Sequence, residues 1–278
     1  MTTQYEFIKA AQLISHADGL IIAAGAGMGV DSGLPDFRGS AGFWQHYPAL
    51  QKSGIDFQDM ASPNHFWASP RFAWGFYGHR LAMYRQTQPH TGFQILRRIA
   101  SRLPHDAFVY TSNVDGQFQK AGFAEEQIHE CHGSLHYLQC IDVCCREIWS
   151  AQGFSPVVDN DSCQLVSELP ICPVCGLVAR PNVLMFDDMS WVSRRSERQR
   201  DRLRTWLRST SHPIVIELGA GTAIATVRDF AERQRGPLIR INLRDAYLKS
   251  SSQNVSLQMG ALQALEGIHQ ALVDQSFF

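Results

Sequence analysis

Apolar residues fall in short runs separated by polar stretches with helical spacing. That spacing holds from residue 6 to 16, Gly19 breaks it, and a solid apolar run follows at 20–24. Further strands are expected at 107–110, 127–130, 182–186, 214–218 and 238–242, and helices at 71–85, 93–101, 193–210 and 261–272. Phe72, Phe76 and Met83 are placed on their helix to pack against a core. Strands alternating with helices predict an α/β fold, a doubly wound, mostly parallel, Rossmann-like sheet that the strand at 182–186 resumes after an interruption. Between residues 140 and 175 no helical pattern holds, and the stretch reads as a small insert.

The first strand runs into Gly25-Ala26-Gly27-Met28-Gly29. Closely spaced glycines after a strand let the backbone approach a phosphate, whose charge the following amides can bind. An ordinary tight strand-to-helix turn uses the same glycines. Asp36-Phe37-Arg38 comes next, followed by an irregular stretch at 39–44 of the kind found beside ligands. Asn113 and Asp115 stand just past the strand at 107–110, where open α/β sheets bind ligands, although both residue types also cap turns. His132-Gly133 follows the strand at 127–130. An imidazole with its ordinary pKa near 6.5 can accept a proton at neutral pH.

The 278 residues are 45% hydrophobic with a net charge of −1, as in an ordinary globular protein. With no basic excess, nucleic acid is not expected as a partner. The arginines of 194–200 alternate with acids and polar groups and read as a solvated helix face. No apolar run is long enough to span a bilayer and the N-terminus lacks a signal-peptide pattern, so no membrane association and a cytoplasmic location are expected. All seven cysteines lie between Cys131 and Cys175, and such clustering suggests metal ligation more than disulfides. Cys172-Pro173-Val174-Cys175-Gly176 has the spacing of half a zinc site, and Cys140 with either Cys144 or Cys145 would supply the other half. Four thiolates leave no open position, so the ion would be structural.

Taken in order, the glycine turn with Asp36-Phe37-Arg38, the Asn113-Val114-Asp115 turn, His132-Gly133 and the cysteine insert resemble the sirtuin family of NAD-dependent protein deacylases. The resemblance runs from Gly25 through Asn242. It implies an NAD-binding domain of 1–39, 88–131 and 182–278, a cofactor loop and helical insert at 40–87, and a zinc-binding domain at 132–181. Gly25, Ala26 and Gly27 would line the pyrophosphate of NAD. Asp36, Phe37 and Arg38 would belong to the cofactor loop, with Phe37 covering the site once nicotinamide leaves. Asn113 and Asp115 would serve the nicotinamide end, and Gly219 and Asn242 the adenosine half. In the reaction so implied, the acyl oxygen of a modified lysine attacks the ribose carbon as nicotinamide departs. His132 is then the general base that activates a ribose hydroxyl, giving free lysine and O-acyl-ADP-ribose. Val183 and Phe186 lie in the segment that pairs with the acylated substrate peptide. Tyr77 and Arg80 match the pair that binds an acyl carboxylate in members removing succinyl or malonyl groups. For zinc the resemblance favours Cys140, Cys145, Cys172 and Cys175, with Arg146 following as in some relatives.

The chain departs from the family pattern at Gly29, where Ser is usual, and at Asp187-Asp188, where Gly-Glu is usual. Gly219-Ala220-Gly221-Thr222 replaces Gly-Thr-Ser, and Arg244 stands where an acid commonly meets the ribose. ADP-ribosyl transfer to protein, NAD hydrolysis and a non-catalytic NAD sensor remain as alternatives. A dehydrogenase fits less well, since Asp56 and Asp59, the acids at the required spacing, lie outside any strand pattern.

Overall fold

The computed structural model describes residues 3–36, 47, 50–51, 54–249 and 251–278. It opens with helix α1 (Thr3–Ser15) and strand β1 (Gly19–Ala24), then short helices α2 (Phe57–Met60) and α3 (Asn64–Ala68) before the long α4 (Pro70–Gln86). Helix α5 (Thr91–Ala100) leads to β2 (Ala107–Thr111), α6 (Gln117–Lys120) and β3 (Ile128–Glu130). Next come β4 (Gly133–Cys140), β5 (Ile148–Ser150), β6 (Val158–Asp159), β7 (Gln164–Leu165) and β8 (Ala179–Val183). Helix α7 (Arg194–Ser209), β9 (Pro213–Leu218), α8 (Thr226–Glu232), β10 (Leu238–Ile241), β11 (Asn254–Leu257) and α9 (Ala261–Asp274) complete the chain.

Six strands form one sheet in the order β11-β10-β9-β1-β2-β3. Every neighbouring pair in it is parallel. Numbered along the chain this is the doubly wound order 3-2-1-4-5-6, whose direction reverses between β1 and β9. All six residues of β1 are buried, as a central parallel strand requires. Alternate residues feed two cores: Ile22 and Ala24 pack with Phe93, Leu96, Leu265 and Ile268 of α5 and α9, while Ile21 and Ala23 pack with Leu203 and Val227 of α7 and α8.

The segment expected to resume this sheet at 182–186 does not do so. Only its first two residues are in a strand, as the end of β8, which pairs antiparallel with β4 in a separate three-stranded sheet, β5-β4-β8. The outer edge of β3 is closed to it by α7, because the Glu130 amide donates to Gln199 Oε1 at 3.1 Å and Ser196 Oγ donates to the Glu130 carbonyl at 3.1 Å. A third hydrophobic cluster unites Trp74, Phe76 and Leu81 of α4 with Leu135, Leu138, Leu165 and Val183, so the helical insert and the cysteine insert share one core.

Candidate functional site

Every strand of the main sheet that carries a candidate residue delivers it to the same edge. Gly25, Gly219 and Asn242 come directly after the last residues of β1, β9 and β10, while Asn113 and His132 come two residues past the ends of β2 and β3. The two glycine turns meet at the reversal point of the sheet. The Gly27 amide donates to the Gly219 carbonyl at 3.1 Å and the Gly25 amide to the Leu218 carbonyl at 2.9 Å. A Cβ on Gly25 would lie 2.8 Å from Ala220 Cα, and one on Gly27 2.7 Å from Gly219 Cα. Gly219 itself has φ +59, the left-handed region that favours glycine. Such a backbone cradle, kept free of side chains at the switch point, fits the pyrophosphate of a dinucleotide.

Three side chains outside the turn hold it. Thr111 Oγ1 donates to the Ala24 carbonyl at 2.9 Å, and Asn113 Nδ2 donates to the Gly25 carbonyl at 3.0 Å. His90 is buried beneath them. Its Nδ1 accepts from the Gly92 amide at 3.0 Å and its Nε2 contacts the Met28 carbonyl at 2.9 Å. The first contact makes Nδ1 the acceptor, so the ring is neutral with its proton on Nε2. Burial pushes the His90 pKa down. Gly29 has an ordinary φ of −83, but its Cβ position lies 3.1 Å from Leu34 Cδ1, so here the Leu34 side chain occupies the space a serine would need. Asp36 is half-buried; Phe37 and Arg38 lie outside the described residues.

Asp115 is buried, and its Oδ1 accepts from the Gln117 amide at 2.9 Å at the start of α6. Burial first, and the Glu130 carboxylate second among the raising influences, lift its pKa to about 6. His136 Nε2 contacts the Asp115 carbonyl at 2.9 Å and fixes this turn, a role not evident from sequence. The half-buried His132 has its carbonyl bonded by the Leu184 amide at 3.0 Å, and burial lowers its imidazole pKa. It is therefore neutral at pH 7, as a proton acceptor must be.

Tyr77 and Arg80 share the buried face of α4. Arg80 donates from Nε and Nη2 to Tyr84 Oη at 3.0 and 2.8 Å and lies over the rings of Phe57 and Phe76. Burial pushes the Tyr77 phenol up to about 12. Val183 is buried at the end of β8, and the Phe186 amide donates to the Ala61 carbonyl at 2.9 Å. Asp187 has φ +53, which explains the usual glycine there; aspartate is among the few other residues that tolerate this region. Asp188 turns inward. Its Oδ1 and Oδ2 take the two terminal nitrogens of fully buried Arg180 at 2.9 and 2.8 Å, and Oδ1 also accepts from the Ser190 amide.

The cysteine cluster comprises Cys140, Cys144, Cys172 and Cys175, whose sulfurs all lie within 4.8 Å of one another. Cys144 replaces the expected Cys145. The chain reverses after β4 through Val143, at φ +50, and this sets Cys144 Sγ 3.7 Å from Cys172 Sγ while Cys140 Sγ lies 3.6 Å from Cys175 Sγ. A tetrahedron with Zn–S bonds of ~2.3 Å has edges of ~3.8 Å, so the four thiols fit a structural zinc.

The Sir2 family model matches residues 25–203. A protein from Thermococcus kodakarensis named NAD-dependent protein deacylase is 31% identical over 181 residues, 64% of this chain and 63% of that protein. A protein from Fusarium oxysporum named probable bifunctional ADP-ribose hydrolase/ADP-ribosyltransferase is 28% identical over 232 residues, 79% of this chain and 38% of that protein. The match to the Thermococcus protein thus spans less than two thirds of that relative. Among solved structures, a complex of a Sir2 homolog with NAD superposes with a TM-score of 0.71 at 23% identity, covering 97% of this chain and 94% of that one. The paired glycine turns, the thiol cluster and a family match over more than half its length place this chain in the Sir2 family.

Proposed function

We propose that the chain is an NAD-dependent protein lysine deacylase. One observation carries the reading: the glycine cradle, Asn113, Asp115 and His132 stand on one edge of the sheet in a Sir2-family chain. Bound NAD would supply the ribose carbon to which the acyl oxygen of a modified lysine bonds as nicotinamide leaves. Gly25, Ala26 and Gly27 hold the pyrophosphate, Gly219 and Asn242 the adenosine half, and Asp36, Phe37 and Arg38 are assigned to cofactor binding by the family resemblance alone. Asn113 keeps the first glycine turn in place while its neighbour Asp115 presents a carboxylate to the nicotinamide end. His132, neutral at pH 7, accepts the proton of a ribose hydroxyl. Val183 and Phe186 border the peptide strand, with Leu184 exposed between them. The zinc cluster takes no chemical part and braces the module on which the peptide rests.

Tyr77 and Arg80 form the end of the acyl pocket. A guanidinium already buried among aromatic rings suits a carboxylate-tipped acyl group, so succinyl or malonyl lysine is the favoured substrate over acetyl lysine. The match to the Fusarium protein, which reaches over more of this chain than the Thermococcus match, favours ADP-ribosyl transfer as a second reading. Among the described residues no helix is long and apolar enough to cross a membrane. A cytoplasmic location belongs to the same proposal.

The test is incubation with NAD and an acetyl- or succinyl-lysine peptide, followed by mass spectrometry. O-acyl-ADP-ribose appearing faster from the succinyl peptide is the expected result. ADP-ribose attached to protein would favour the second reading, and unconsumed NAD would remove both.

A further inference from the structure

The loops that carry Gly219 and Asn242 are tied together by buried charges that the proposed chemistry does not use. Glu217, fully buried in β9, stands opposite Arg240 in β10. Its Oε1 and Oε2 accept from Arg240 Nε and Nη2 at 2.7 and 2.8 Å. Arg240 also donates to Glu232 Oε1 of α8 at 2.7 Å and to the Tyr247 carbonyl at 3.1 Å. Arg228, from α8, brings Nη2 to 3.8 Å from Glu217 Oε1. The same nitrogen donates to the Asp245 carbonyl at 2.8 Å and the Ala220 carbonyl at 3.2 Å.

One carboxylate therefore anchors two guanidiniums, and each ends on a carbonyl of the loop after β10. Of the two guanidiniums, that of Arg228 also bridges that loop to the second glycine turn. Asn242 spans the same gap, donating from Nδ2 to the Ala220 carbonyl at 2.8 Å while its Oδ1 accepts from the Arg244 and Asp245 amides at 3.1 Å. Two carboxylates and two guanidiniums balance in charge. A buried ion pair is weak support for stability by itself, because well-packed apolar residues often do as well. What an apolar replacement could not supply is the pair of donors that fixes the spacing of the two loops.

We propose that Arg228, anchored by Glu217, is a positioning residue for the adenosine end of the dinucleotide, setting the distance between the second glycine turn and the loop at 242–247. The inference rests on the NAD reading above. It acts on the end of the ligand remote from His132, so its loss weakens binding and leaves the chemical step intact.

Arg228 is partly exposed, at 14% of its side chain, and its replacement spares the buried Glu217–Arg240 pair. Arg228→Met and Arg228→Lys are compared with wild type by calorimetric titration with ADP-ribose, steady-state kinetics in NAD and thermal melting. Arg228→Met is expected to weaken ADP-ribose binding and raise KM for NAD about tenfold with kcat unchanged, and Arg228→Lys to recover part of the loss. A lower Tm with wild-type affinity for ADP-ribose would show a structural role only and overturn the inference. A fall in kcat at saturating NAD would overturn it as well. Wild-type protein that binds no ADP-ribose would remove the NAD reading and the inference with it, whereas failure confined to the variants removes the inference alone.

Discussion

Asp115 shows how one residue can serve a site at the expense of the fold. Its carboxyl goes from an ordinary 3.8 to about 6 in the folded protein, chiefly through burial. A raised pKa means that the folded state favours the protonated form. The resulting stabilisation is complete below 3.8 and is lost as pH climbs through about 6. Above that, the buried carboxylate costs on the order of 3 kcal/mol, at ~1.4 kcal/mol per pKa unit. Asp115→Asn keeps an oxygen for the Gln117 amide and removes the charge. At pH 7 the variant should melt several degrees above wild type, at pH 4 the two should coincide, and deacylation should fall sharply; melting curves at both pH values decide it. His132→Ala should lose deacylation at least a hundredfold and still bind NAD, which calorimetry and product analysis can separate. Undiminished turnover would remove His132 from its role. These residues were legible because each lies in the short turn that follows a strand. His90 and His136 were not, since their contacts are with backbone carbonyls 62 and 21 residues away, which no local spacing encodes.

Among elements, five of the six strands of the main sheet were expected from the sequence, the central ones because strands buried on both faces read as continuous hydrophobic stretches. The inserted sheet was hidden for the converse reason. Gly133–Cys140 mixes Ser, His, Tyr and Gln with two leucines, and its partner β8 contains Arg180, Pro181 and Asn182. Buried polar side chains here serve each other: Asn182 Nδ2 donates to Gln139 Oε1 at 2.9 Å, and Gln139 Nε2 donates to the Ser190 carbonyl at 2.8 Å. Strand β11 has only Val255 and Leu257 as apolar residues, and helix α8 spans 7 residues, so neither pattern stands out. The choice between Cys144 and Cys145 depended on the left-handed turn at Val143, an uncommon conformation for a β-branched residue that no pattern would suggest. Cys144→Ser should therefore bring bound zinc from one ion per chain to near none, whereas Cys145→Ser should keep it. Metal analysis of the two purified variants distinguishes them, and the opposite result would restore Cys145 as the ligand.

At the scale of the molecule, the metal should matter well beyond the cysteines. Helix α4 is fastened to the insert by its side chains. Trp74 Nε1 donates to the Ala179 carbonyl at 2.8 Å, Arg71 to the Leu165 and Ser167 carbonyls at 2.9 and 3.0 Å, and Arg85 to the Phe154 and Ala151 carbonyls at 2.7 Å each. Gly75 lets the backbone at Cys163 come so close that a Cβ would overlap its carbonyl. Beneath these bonds lies one apolar cluster common to α4, β4, β7 and β8, separate from the two clusters that flank the main sheet. Residues sharing a core lose protection together, and a structural zinc contributes directly to the folding of the module it closes. Chelation should consequently raise deuterium uptake across the insert at 133–183 and, to a similar degree, in α4 around Trp74 and Phe76. Strands β1, β2 and β9, packed through Ile22, Val109 and Ile216, should stay protected. Hydrogen exchange with and without chelator measures this directly. If α4 remained as protected as β1 while the insert opened, the shared core would not be a cooperative unit, and zinc would brace only the knuckles themselves.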